Sequence, residues 1–87
     1  MARVRAFRIA GVEMRILSGD HSPPHFHARR LGHWHVRVFF LEEEDSMVEL
    51  LGPRNARISG SDRRAILRGV AGNRAALLAE WEACQDG

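Results

Sequence analysis

The sequence predicts an α+β fold: an antiparallel sheet of about five strands followed by one long or two short C-terminal helices packed on one face. Three observations carry this expectation. Residues 33–40 alternate, with Trp34, Val36, Val38 and Phe40 on one side and His33, His35, Arg37 and Phe39 on the other, the period-two pattern of a half-buried strand. Val12, Met14 and Ile16 alternate with Glu13 and Arg15 in the same way. Further on, Ile66, Leu67, Val70, Leu77, Leu78 and Trp81 form a helical stripe that stays in phase, because 66 to 77 spans about three turns. A stripe of this kind after a run of strands must bury itself against the sheet.

Taken in order, residues 3–9 and 12–17 read as a β-hairpin around a tight Ala10-Gly11 turn. Ser18 to Pro24 holds Gly, Asp, Ser and two prolines, and proline removes a backbone donor, so this is an ordered loop. Strand character returns at His25. A second hairpin joins residues 25–30 to 33–40. Burying Phe26 and Ala28 with Trp34, Val36 and Val38 requires paired residue numbers to sum to an even value, 26 with 36 for example, and therefore an odd loop such as Arg30-Leu31-Gly32. That parity puts His25, His27 and Arg29 on one face with His33, His35 and Arg37, opposite the helices.

Glu42 to Asp45 reads as an acidic turn and Met47 to Leu51 as a fifth strand ending at Gly52-Pro53. Ser59 with Asp62 three residues on is a helix start of the capping-box kind. Gly69 and Gly72 leave two arrangements open: one long helix weakened at the glycines, or two short ones split before an Asn73 cap. The chain is expected to be a single domain, 1–87, with a β-rich His/Arg part over 1–51 and a helical part over 59–85.

With 87 residues and 45% hydrophobic content, there is enough chain for one core and not two. A lone cysteine, Cys84, forms no internal disulfide. The longest strongly apolar run, Val38 to Leu41, is far short of the roughly 20 residues that span a bilayer, and no apolar block follows the N-terminal arginines. A cytoplasmic location without membrane contact is the expectation. All 13 basic residues are arginine, and they are unevenly spread. From Met1 to Arg37, seven arginines face only Glu13 and Asp20; Glu42, Glu43, Glu44, Asp45 and Glu49 then reverse the sign. The front half also holds all five histidines, so it carries the footprint of a phosphate-bearing partner, RNA or DNA. A chain without lysine also suggests a general bias toward arginine, which weakens that inference.

The histidines offer three chemistries. His25 and His27, two apart on a strand, project the same way with Cα atoms roughly 6.6 Å apart, and a cross-strand neighbour such as His35 would lie about 5 Å away. Together His25, His27 and His35 could hold a zinc-type ion with an open fourth position. No acidic partner is evident in the register, and no resident metal or cofactor is expected. Alternatively, imidazoles titrating near neutrality can serve as base and acid on a phosphodiester. His21, His25 and His27 are the catalytic candidates, while Arg29, Arg37, His33 and His35 would hold the nucleic acid. The third possibility is structural: Phe26 plugs the core and the imidazole nitrogens bond loop carbonyls around Asp20. The sequence leaves open whether the protein is an enzyme. Trp34 and Trp81 fit the core better than a stacking platform.

The segment Asp20-His21-Ser22-Pro23-Pro24-His25-Phe26-His27-Ala28, with Leu77 and Trp81 in a terminal helix, resembles the bacterial domain-of-unknown-function 4160 family. Asp20, His21, Pro23, Pro24, His25, Phe26, His27 and Trp81 match its pattern. His33 and His35 lie outside it, and Gly69 and Gly72 stand where the family reads as a stronger helix. The resemblance implies a short stand-alone protein, often encoded beside another small protein in pairs resembling toxin–antitoxin modules, and it supplies no activity. The leading expectation is thus a nucleic-acid-associated component of a two-gene regulatory or toxin–antitoxin-like module. One alternative is a small metal-binding protein or metal-dependent enzyme using His25 and His27, and another is a protein-interaction module without ligand. The expected partners are a nucleic acid, a small protein encoded nearby, or a second copy in a homodimer. Phe39, Phe40 and Leu41 are candidates for the contact surface.

Overall fold

The computed structural model describes residues 2–86. Its elements are β1 (Ala2–Arg3), β2 (Glu13–Ile16), β3 (Phe26–Arg30), β4 (Trp34–Val38), α1 (Glu44–Met47), β5 (Val48–Gly52), α2 (Gly60–Ala71) and α3 (Arg74–Asp86). The strands form one sheet in the order β1-β2-β3-β4-β5, each pair antiparallel, so the α+β class and the helices following the sheet are as the sequence predicts. No helix among the described residues is long and apolar enough to cross a membrane.

The core joins Met14, Ile16, Phe26, Ala28, Trp34, Val36, Val38 and Phe40 from the sheet side to Ile66, Val70 and Leu77 from the helices. The helices therefore cover the face that the alternation assigns to the apolar set. Phe26 and Phe40 are fully buried, with ring centroids 6.2 Å apart in a stacked arrangement. Truncation of such a phenylalanine to alanine typically costs about 3–5 kcal/mol. Phe40 is thus a core residue and not part of a contact surface. Trp81 is half-buried at the margin of this core.

The β3–β4 register keeps the predicted parity but is two residues longer than the 26-with-36 example: Phe26 pairs with Val38 and Arg30 with Trp34. The three-residue loop is Leu31-Gly32-His33, closed by a bond from His33 N to Arg30 O and turned at Gly32, whose φ of 81° is easily reached only without a Cβ. Arg30 is paired because its guanidinium grips Asp62 through two bonds, of 3.0 and 2.8 Å, and the same carboxylate accepts Trp34 Nε1 at 3.0 Å. Those bonds hold Asp62 below the ordinary carboxyl value and raise Arg30 above the ordinary guanidinium value.

The expected strand over residues 3–9 is mostly absent. Only Ala2 and Arg3 pair with β2, and the chain then leaves the sheet. The amides of Arg5 and Ala6 donate to the two carboxylate oxygens of Glu80 in α3, at 2.7 and 2.8 Å. Phe7 turns inward onto Phe26 and onto Gly69 of α2. A Cβ at position 69 would overlap the Phe7 ring, which explains a glycine inside the helix.

Of the two helical arrangements, the chain adopts the split one. Ser59 Oγ accepts from Asp62 N at 3.0 Å to start α2, and Asn73 Nδ2 donates to Gly69 O at 2.7 Å to close it. The acidic segment is a short helix over Glu44–Met47, which shifts the fifth strand one residue on, to Val48–Gly52.

Candidate metal centre

The loop from Ser18 to Pro24 leads through His25 into β3, where Phe26 and Ala28 take the covered face and His27 the other, with the His25 ring edge-on to His27 at 5.4 Å between centroids. Antiparallel pairing of His27 with Arg37 and of Arg29 with His35 makes His27 and His35 diagonal neighbours. Their rings lie 5.4 Å apart between centroids, with His27 Nδ1 3.3 Å from His35 Nε2. The predicted shared face of His25, His27 and His35 is therefore present.

The loop contributes a group that the register alone does not bring in. It folds back so that Asp20 Oδ2 lies 3.2 Å from His25 Nε2 and 3.6 Å from His27 Nε2. One ligand atom from each of Asp20, His25 and His27 lies within 4.8 Å of the others. An ion held tetrahedrally at about 2.1 Å from nitrogen and oxygen ligands separates them by roughly 3.4 Å. The two distances from Asp20 to the imidazoles fall close to that requirement.

Hydrogen bonding fixes which atoms face inward. His25 Nδ1–H donates to Pro23 O at 2.9 Å, which leaves Nε2 to face Asp20. His25 is only 4% exposed and is covered by the Phe39 ring, 5.3 Å away between centroids. Asp20 Oδ2 is itself buried and lies within ion-pair range of both imidazoles, without a well-aligned hydrogen bond from the described residues. A buried carboxylate oxygen without a donor is costly unless a cation or a water satisfies it. Burial pushes the His27 imidazole below its ordinary value of 6.5; Asp20 opposes this, while His25, His35 and Arg37 reinforce it. The neutral ring so favoured is the form that ligates metals.

The metal candidates of the sequence are thus redistributed. His25 and His27 fall in one cluster with Asp20, and His35 stands behind His27. His21 is exposed beside Asp20, and His33 is exposed in the β3–β4 turn and not in the strand; neither joins the cluster. A usable signal was present, since Asp20 sits five residues before His25 with a proline pair between them.

The arginines of the same face carry acidic partners. Glu13 Oε1 takes both Arg15, at 2.9 Å, and Arg29, at 3.2 Å, and Glu49 takes Arg37 at 3.1 Å. The Arg37 guanidinium also lies 5.8 Å from the Phe39 ring centre, within cation–π range. A cleft of about 260 Å³ runs beside His27 and His35, lined also by Glu13, Arg15, Leu17, Ala28 and Arg29. A larger groove of about 480 Å³ lies under the segment from Val4 to Val12 and holds no histidine.

Fold and site together define a small α+β protein with two histidines and an aspartate converging where a loop enters the third strand. The family model described as Domain of unknown function (DUF4160) matches residues 11–82, and the chain belongs to that family. Neither the curated proteins nor the solved structures contain a match to it.

Proposed function

We propose that the protein binds one divalent transition-metal ion through Asp20, His25 and His27. The observation that carries this reading is the convergence of two inward-facing imidazole nitrogens on a buried carboxylate oxygen that accepts no hydrogen bond from the described residues. Two imidazoles and one carboxylate suit zinc, iron(II) or manganese(II). Three protein ligands leave room for a water or a substrate, as in catalytic sites and unlike closed structural ones. A metal-bound water of this kind is a nucleophile near neutral pH.

The test is metal analysis of the untagged protein after equilibrium dialysis against zinc or manganese. One ion per chain, lost in Asp20→Ala, supports the reading. Binding at background level, or binding unchanged in Asp20→Ala, overturns it.

A nucleic-acid role has less support, because Arg15, Arg29 and Arg37 lie against Glu13 and Glu49, and a phosphate would have to displace these carboxylates, though each exposed pair is worth little on its own. Self-association has one favourable observation: β5 is an edge strand with Leu50 and Leu51 exposed. Light scattering at high micromolar concentration would show a dimer if that edge pairs.

A further inference from the structure

We propose that His35 is the positioning residue of the metal centre, holding His27 in the tautomer that ligates; this rests on the metal reading above. An imidazole that gives Nε2 to a metal carries its proton on Nδ1, and that N–H needs an acceptor. His27 Nδ1 lies 3.3 Å from His35 Nε2. With metal on His27, His35 Nε2 is the acceptor and its own proton resides on Nδ1. His25 is held in the same sense, but by the carbonyl of Pro23. One ligand is therefore oriented by backbone and the other by a side chain.

The fold makes His35 a firm support. It lies in β4, hydrogen-bonded to strands on both sides, between Trp34 and Val36, whose side chains are buried in the core. The diagonal offset from His27 follows from the pairing of Arg29 with His35 and cannot slip by one residue without turning the core out. Because His35 faces away from the core and is half-buried, it can be replaced without opening a cavity in the core. Among the described residues, the other imidazole against the His27 ring is that of His25, which packs edge-on and whose Nδ1–H is committed to Pro23.

The experiment compares wild type, His35→Leu and His35→Gln. Leucine keeps bulk without an acceptor, and the glutamine amide oxygen can replace Nε2 as acceptor. Zinc affinity is read by competition with a chromophoric chelator, and cobalt(II) absorption reports the ligand set. Loss of such a supporting group typically weakens metal binding about 10–100-fold. His35→Leu is expected to show a loss of that size, with an unchanged metal-free melting temperature and a cobalt spectrum that still reports two nitrogens and one carboxylate; His35→Gln is expected to recover most of the affinity. Wild-type affinity in His35→Leu overturns the proposal, as does a glutamine variant as weak as the leucine one. If His35→Leu fails to fold, the comparison of His35→Gln with wild type decides, and a 10-fold or greater loss there counts against the proposal. Absence of zinc binding in the wild type instead sinks the metal site itself.

Discussion

Phe7 packs against Gly69 with no room for a side chain between its ring and the α2 backbone. Alanine is the better helix former by about 1 kcal/mol, yet overpacking a tight contact typically costs about 1–3 kcal/mol. Gly69→Ala is therefore expected to destabilise the protein in urea unfolding. In a Phe7→Ala background the same change is expected to be neutral or stabilising. A stabilising Gly69→Ala in the wild type would contradict the contact.

Asp62 joins β3, β4 and α2 through Arg30 and Trp34. Removal of the carboxylate in Asp62→Ala leaves the Trp34 N–H without its acceptor, a loss of about 1–3 kcal/mol. The pH dependence has a definite sign. A carboxyl held below its ordinary value of 3.8 stabilises the fold above that pH, and the contribution fades as pH falls through the folded-state value. The stability gap between wild type and Asp62→Asn, measured by unfolding from pH 7 to pH 2, should shrink only below about pH 4. A gap that is constant or widens on acidification would contradict the ion pair.

Glu80 holds the segment after β1 by accepting both the Arg5 and Ala6 amides. Glu80→Ala is expected to speed hydrogen exchange at those two amides while leaving the β3–β4 ladder protected. Unchanged exchange at Arg5 and Ala6 would contradict the role given to Glu80.

Because Glu13 and Glu49 occupy the arginines of the open face, the wild type should bind a short oligonucleotide weakly, with a shallow salt dependence. Glu13→Gln should steepen that dependence. A steep slope in the wild type, flattened by Arg29→Ala or Arg37→Ala, would restore the phosphate-binding reading.

The parity of the β3–β4 hairpin was legible because side-chain alternation is a local property of strands, and one slip would turn Phe26 and Trp34 to solvent. The Ser59–Asp62 start of α2 was legible for the same reason, as capping is decided within one turn. The departure of residues 5–9 from the sheet was not legible: Arg5 and Ala6 find their acceptor in Glu80, far away in the sequence, and no local pattern announces it. Asp20 lay within the histidine motif, but its return onto His25 and His27 depends on the path of a proline-containing loop. Arginine-rich composition alone did not disclose the acidic partners on the open face, where Glu13 supplies one oxygen to two guanidinium groups.

The most direct test of the metal site is imidazole nitrogen NMR on histidine-labelled protein during a zinc titration. Up to one equivalent, the Nε2 resonances of His25 and His27 are expected to shift together while their Nδ1 nitrogens stay protonated, with His21 and His33 unchanged. A titration that leaves His25 and His27 unmoved, or that shifts all five histidines together, would contradict the site formed by Asp20, His25 and His27.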